Sequence, residues 1–505
     1  MASRAVAVSA ALAVAGLTLG PVIAVLIRAG GWGVLGPGDL QALRFTLVQA
    51  LLSAAVSVAL AVPVARALAR RRFRGRGALV ALMGAPFILP VIVAVLGLIA
   101  VFGQNGVVNV VLRGVGAPEL SIYGLHGVVL AHVFFNLPLA VRLLLQGWLA
   151  IPAERFRLAA SLGLTPWATL RTLEAPMLLR IAPGAFAVIC VICLSSFAVA
   201  LTLGGGPRAT TVELAIYQAV RFDFDLGRAA LLSVIQLALA LGAGLFALKL
   251  GTGGGLGSGL DRMQQRWDGQ GALHRAIDAA WIGLAALFLL LPLGMVVLKG
   301  LAGLVLLGAS TWHAAGNSIA VALASTVLCT LWALPLSTRR GELLGLAGIA
   351  LSPLVLGTGL FLILRPFVNP LTLALPVTVV VNALVSLPFA LRILRPEAEA
   401  VRADYARLAL ALGLTPLAWV RMVLLPRLRR PLGFAAGLTA ALSMGDLGVI
   451  ALFADPDRAT LPLQVYRLMG AYRMEAASGA ALLLLLLSFA AFWIFDRGGR
   501  VNADA

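Results

Sequence analysis

Few side chains in this sequence could do chemistry, and those that could lie inside long apolar runs. Asn136, Ser195, Ser196, Asn382, Ser443 and Asp446 are such residues. Polar groups are expensive in hydrocarbon, so they are expected to face a shared interior and to line the path of a polar solute. Asp446 is the acid of the set. Near an axis between two halves it would attract a cation; beside Gly445 and Gly448 it could equally cap a break in a helix. No catalytic constellation is evident, so the chain is not expected to be an enzyme. It has no Gly-x-x-x-x-Gly-Lys-Ser/Thr phosphate loop, and its two lysines, Lys249 and Lys299, sit at the ends of apolar runs. ATP hydrolysis would have to come from another chain. His126, His132, His274 and His313 show no ligand spacing, so no metal is expected. Cys190 and Cys193 have redox-motif spacing but lie in an apolar run, where they read as packed thiols.

The elements that must position these residues follow from composition. Hydrophobic residues make up 61% of the chain and charged residues 12%, which places it in a membrane. Candidate spans are Ala5–Ile27, Thr46–Ala65, Ala78–Phe102, Leu125–Leu145, Ile181–Leu203 and Ala229–Leu250. A second set is Ala279–Leu298, Ala314–Pro335, Leu343–Leu364, Leu371–Leu394, Leu432–Phe453 and Ala476–Phe495. Each is near the ~20 residues a bilayer requires. The fold class is therefore all-α, a polytopic membrane protein of about twelve transmembrane helices. The first run is too long for the apolar core of a signal peptide and is read as a retained span.

The net charge of +19 would point to nucleic acid in a soluble protein. Here the arginines fall in alternate short loops, so topology explains them and no nucleic acid partner is expected. One set comprises Arg66 to Arg76, Arg155, Arg157, Arg171, Arg180, Arg262, Arg266, Arg275, Arg339, Arg340, Arg497 and Arg500. The opposite loops hold Glu119, Glu213, Asp223, Asp225, Asp455 and Asp457. The positive-inside rule then places both termini in the cytoplasm.

Leu158-Ala-Ala-Ser-Leu-Gly163-Leu-Thr165-Pro166 recurs 250 residues later as Leu408-Ala-Leu-Ala-Leu-Gly413-Leu-Thr415-Pro416. Leu137-Pro138, Pro176 and Arg208-Ala-Thr210 recur at the same offset as Leu387-Pro388, Pro426 and Arg458-Ala-Thr460. Two six-helix halves, 1–250 and 275–505, therefore run in the same direction as parallel repeats. The Gly/Ser-rich segment 251–274 joins them and reads as a flexible cytoplasmic linker. In each half the repeated block predicts a short helix, a left-handed glycine, a threonine N-cap and a proline opening the next helix. Glu154 and Asp404 suit the start of the short helix. Phe156, Ala159, Ala160 and Gly163 share one face of it, with Ala409, Leu410 and Gly413 in the second copy. Small residues there would let another backbone approach closely.

This block resembles the EAA loop of ABC importer permeases, with arginine (Arg157, Arg407) where that loop has its leading glutamate. The resemblance implies that Glu154, Phe156, Ala159, Ala160, Gly163 and Pro166 couple to one ATPase subunit. Asp404, Ala409, Leu410, Gly413 and Pro416 would couple to another. Outside the loop, Leu203-Gly-Gly-Gly206-Pro-Arg-Ala-Thr-Thr211-Val-Glu213 and Ser443-Met-Gly-Asp446-Leu-Gly resemble the thiamine ABC transporter permeases. That family implies the type I ABC importer permease fold in a bacterial inner (cytoplasmic) membrane. It also implies a periplasmic thiamine-binding protein, and two ATPase copies carrying ATP and Mg, with no cofactor on this chain. The imported substrates would be thiamine and its phosphates. Arg208, Glu213, Tyr217, Arg458 and Tyr466, in the loops after the fifth and eleventh spans, would dock the binding protein or merely seal the outer mouth. A ferric-iron ABC permease is the alternative within the class. A major-facilitator-type secondary transporter is the alternative outside it, weakly echoed by Arg70-Arg-Arg-Phe-Arg-Gly-Arg76.

Overall fold

The computed structural model describes residues 2–29, 35–84, 88–250, 266, 269–349, 352–453 and 458–500. Regular structure among them is helical throughout. The first half contributes α1 (Ala2–Ala29), α2 (Pro37–Arg70), α3 (Arg76–Leu82), α4 (Val91–Phe102), α5 (Val107–Gly114) and α6 (Leu125–Ala150). Then come α7 (Ala153–Ser161), α8 (Pro166–Thr169), α9 (Ala175–Leu194), α10 (Phe197–Leu203), α11 (Val212–Arg221) and α12 (Leu226–Leu250). The second half contributes α13 (Ala272–Gly303), α14 (Ala309–Leu336), α15 (Arg339–Ile349), α16 (Pro353–Leu364) and α17 (Ala374–Ala411). It ends with α18 (Pro416–Trp419), α19 (Leu425–Met444), α20 (Gly448–Phe453), α21 (Leu461–Gly470) and α22 (Met474–Arg500).

Eleven helices among the described residues are long and apolar enough to cross a membrane. The chain is a multi-pass, all-α membrane protein. One expected span, Leu343–Leu364, is instead divided between α15 and α16. Ser352 caps α16, its hydroxyl accepting from the Leu354 amide at 3.2 Å, and Pro353 opens that helix. A proline disfavours helical geometry in the residue before it, so the break is local in origin. The expected span Ala78–Phe102 is likewise divided between α3 and α4, with 85–87 outside the described residues. The expected spans Ile181–Leu203 and Leu432–Phe453 also break, at Ser195-Ser196 and around Gly445–Leu447.

The repeat is tertiary as well as sequential. α2 packs on α6 and α9, and α9 on α12; α14 packs on α17 and α19, and α19 on α22. The first helix of each half crosses to the other half: α1 packs on α16, and α13 on α4. Both crossings use glycine. A methyl group added at Gly97 of α4 would lie 2.6 Å from the Pro292 carbonyl oxygen of α13. One added at Gly359 of α16 would collide with the Pro21 carbonyl of α1. Without a hydrophobic drive between helices in lipid, such close backbone approach is a main source of packing energy.

Most of 251–274 lies outside the described residues, as do Asp455 and Asp457. The part that is described is docked on the first half. Arg71, just past the end of α2, donates to the Gly269 carbonyl at 2.6 Å and pairs with Asp278 of α13 at 2.6 Å.

Candidate functional site

A cavity of about 380 Å³ lies where the helix breaks of both halves converge. Ser195 and Ser196 from the α9–α10 break, and Gly445 and Asp446 from the α19–α20 break, line it, with Pro90 before α4 and Pro353 of α16. Non-helical backbone is tolerated at membrane depth only where it is buried in protein or faces a cavity. All six residues expected on the solute path, Asn136, Ser195, Ser196, Asn382, Ser443 and Asp446, line this one space.

The cavity also respects the repeat. His132 and Asn382, Asn136 and Ser386, and Ser196 and Asp446 are pairs at the 250-residue offset, and all six residues line it. It therefore lies on the relation between the halves. His132 and Ser386 were absent from the expected set; the offset from Asn382 and Asn136 was the signal that could have found them. The polar groups are mostly satisfied by one another. The His132 ring bonds to the Ser53 hydroxyl through Nδ1 at 3.1 Å and to the Ser196 hydroxyl through Nε2 at 2.5 Å. Asn136 donates to the His132 carbonyl at 2.9 Å. Asn382 donates to the Ser443 hydroxyl at 3.0 Å, which bonds on to Ser325 at 3.1 Å. Asp446 caps α20, Oδ1 accepting from the Gly448 amide at 3.2 Å. Its Oδ2 is buried and has no hydrogen-bond partner.

Glu213 requires a correction. As an acid in a loop between spans it was expected on an outer docking surface, yet it is 2% exposed and lines the cavity. α11 is amphipathic and packs against α2, α12, α16 and α20, which draws its first turn inward. The Ser352 hydroxyl donates to Glu213 Oε1, and Gln236 Nε2 donates to the same oxygen at 3.4 Å. Tyr217, one turn on, is buried edge-on against Phe197 and Phe222. It shares a second pocket, of about 410 Å³, with Tyr466, Gln218, Arg228 and the Gly205-Gly206 turn. Arg208 and Arg458 do not line that pocket; Arg208 is exposed, and Arg458 donates to the Thr372 carbonyl.

The repeated turns are built alike. Gly163 and Gly413 take φ of 66° and 60°, the left-handed region that favours glycine. The Leu164 and Leu414 amides donate to the Ala159 and Ala409 carbonyls, each at 3.0 Å, closing the helix end. Thr165 and Thr415 accept from the Ala168 and Ala418 amides at 3.2 and 3.3 Å, and Pro166 and Pro416 begin the next helices. Each runs through a wide π turn, Leu170–Glu174 or Val420–Leu424, into α9 or α19.

What the copies present differs from expectation. Phe156 and Ala159 point into the protein rather than toward a partner; Phe156 is covered by the Arg266 guanidinium, 4.3 Å from its ring centre. The face left open is apolar: Leu158, Leu162 and Trp167 in one copy, and their offset partners Leu408, Leu412 and Leu417 in the other, are all exposed. Glu154, Ala160, Asp404, Leu410, Gly413 and Pro416 are exposed around it, with Pro166 and Ala409 half-buried. The helices entering the turns also differ. Pro152 breaks the chain between α6 and α7, whereas Arg402 occupies the offset position and α17 continues unbroken for 38 residues.

No family model matches the chain. Curated relatives do. It is 38% identical over 526 aligned positions to the thiamine transport system permease protein ThiP of Brucella abortus (strain 2308), covering 100% of this chain and 97% of that protein. It is 40% identical over 485 positions to ThiP of Escherichia coli (strain K12), covering 92% and 90%. The chain belongs to the ThiP family of transport system permeases. Over a shorter stretch, the molybdenum transport system permease protein ModB of Azotobacter vinelandii is 31% identical over 192 positions, covering 37% of this chain and 83% of ModB. A chain of the ThiP family is a transport permease, and the cavity lies between its two repeats.

Proposed function

We propose that this chain is the membrane-spanning subunit of an ABC importer that carries thiamine, and its phosphates, from periplasm to cytoplasm across a bacterial inner membrane. The observation that carries this reading is identity of 38–40% along nearly the whole chain to two thiamine permeases. Both termini lie in the cytoplasm in this reading, as the arginine-rich loops favour. Two ATPase subunits, which hold ATP and Mg, seat on the exposed apolar faces around Leu158 and Trp167 and around Leu408 and Leu417. A periplasmic thiamine-binding protein delivers its cargo at the opposite mouth, near the pocket that Tyr217 and Tyr466 share.

The geometry supports a mechanical account. α17 runs from cavity-lining Asn382 and Ser386 to the end of the second coupling helix, so a push on that turn moves the cavity wall directly. In the first half the push passes through Glu174, which pairs with Arg66 of α2 at 2.6 Å. ATP-driven approach of the two ATPases would then rock the halves and open the cavity to alternate sides.

Uptake of labelled thiamine by cells lacking the chain, with and without a plasmid copy, tests the reading. Rescue that vanishes on ATP depletion, with the ion gradient maintained, is the expected result. Unchanged uptake in cells with no second thiamine system would overturn the substrate.

A further inference from the structure

The cavity has acidic side chains without basic ones. Two acids line it, Glu213 and Asp446, and no lysine or arginine does. Neither acid has an ion-pair partner among the described residues. The acids come from different halves, and neither has an acidic mate. The offset partner of Asp446 is Ser196, and that of Glu213 is Leu463. The repeat therefore does not account for them. The hydrogen bonding of Asp446 is incomplete in the way a ligand site requires: its Oδ2 is buried without a partner. Glu213 is held from behind by Ser352 and Gln236, on its Oε1. The walls beside them are aromatic, with Phe135, Phe197 and Phe389 lining the same space. A bare metal ion would demand several oxygen or nitrogen ligands at one point, and no group of three metal-ligating side chains occurs among the described residues. Acids without a basic neighbour, in a space that three phenylalanines also line, fit a flat organic cation.

We infer that Glu213 and Asp446, one from each half, together select a monovalent organic cation in transit, with Glu213, in the first turn of α11, the specificity-determining residue. The inference rests on the thiamine reading, whose thiazolium ring carries the fixed positive charge.

The test uses the complete importer, with its binding protein and ATPase, in proteoliposomes. Maximal transport is measured for thiamine and for its neutral isostere, in which a thiophene replaces the thiazolium. Binding protein is saturated with each. Glu213→Gln and Asp446→Asn keep the shape and the hydrogen-bonding reach while removing charge. Each is expected to cut thiamine transport about tenfold or more relative to the isostere. Glu213→Asp, which keeps the charge, is expected to preserve most of the preference. Equal loss of both substrates in an assembled complex would overturn the inference, because a residue that only buttresses Ser352 affects them alike. Unchanged thiamine transport in both neutral variants would overturn it too. A wild-type complex that carries neither substrate defeats the thiamine reading itself, a result separate from any shift in the ratio. If Glu213→Gln fails to assemble, the Asp446→Asn ratio decides alone.

Discussion

Removing the Glu174 carboxylate should release the linker from the first of the two repeated turns. Glu174 is fully buried at the end of the π turn, paired with Arg66 at 2.6 Å and with Arg266. The Arg266 side chain is 3% exposed and also covers Phe156, so it has little water to fall back on. The Arg66 side chain is 21% exposed and can be solvated, so its share of the cost is small. Breaking a buried pair from one side costs about 3–5 kcal/mol, because the surviving charge is stranded. In Glu174→Ala the low end of that range applies, about 3 kcal/mol, which corresponds to about a hundredfold rise in the population with Arg266 undocked. Trypsin cleaves after arginine, and cleavage of a transiently opened site follows that population when reclosing is fast. Limited trypsin digestion of the solubilised protein should therefore cut after Arg266 about a hundred times faster than in the wild type. The second half supplies a control, since Leu424 stands at the offset position and packs with Ala398, Val401 and Leu428. Glu174→Leu combined with Arg266→Met should restore wild-type thermal stability of the body, as replacing buried pairs by apolar groups often does. Cleavage after Arg266 within about twofold of the wild type in Glu174→Ala would refute the stranded-charge argument.

Two further outcomes follow from the geometry. Gly163→Val with Gly413→Val places β-branched residues in left-handed backbone at about 1–2 kcal/mol each, with nothing within 4 Å of either added Cβ to clash. Membrane insertion should persist while thiamine uptake is lost, and Asn at both sites, which tolerates that conformation, should retain more uptake than Val. Gly97→Ala and Gly359→Ala should each lower the thermal stability of the solubilised protein by about 1–3 kcal/mol through the α13 and α1 crossings. Gly16→Ala, which meets nothing within 4 Å, should not lower it.

Local chemistry made much of this protein legible in its sequence. The left-handed glycines, the Thr165 and Thr415 caps and the prolines after them depend on neighbours a few residues away, so the residues themselves specify both turns. The apolar runs specify the spans, and the 250-residue repeat specifies that the glycine-threonine-proline turn is built twice, because like local sequence folds alike. The six polar residues could be assigned to one interior because hydrocarbon leaves them nowhere else to go. Tertiary packing decided the rest. Which face of α7 stays open depends on Arg266 reaching Phe156 from more than a hundred positions away in the sequence. Glu213 looked like a loop acid because charge pattern alone cannot tell a solvated turn from a short helix drawn beneath α16 and α20. The crossing of α1 and α13 into opposite halves rests on backbone approach at single glycines, a contact between segments hundreds of residues apart that no local pattern encodes.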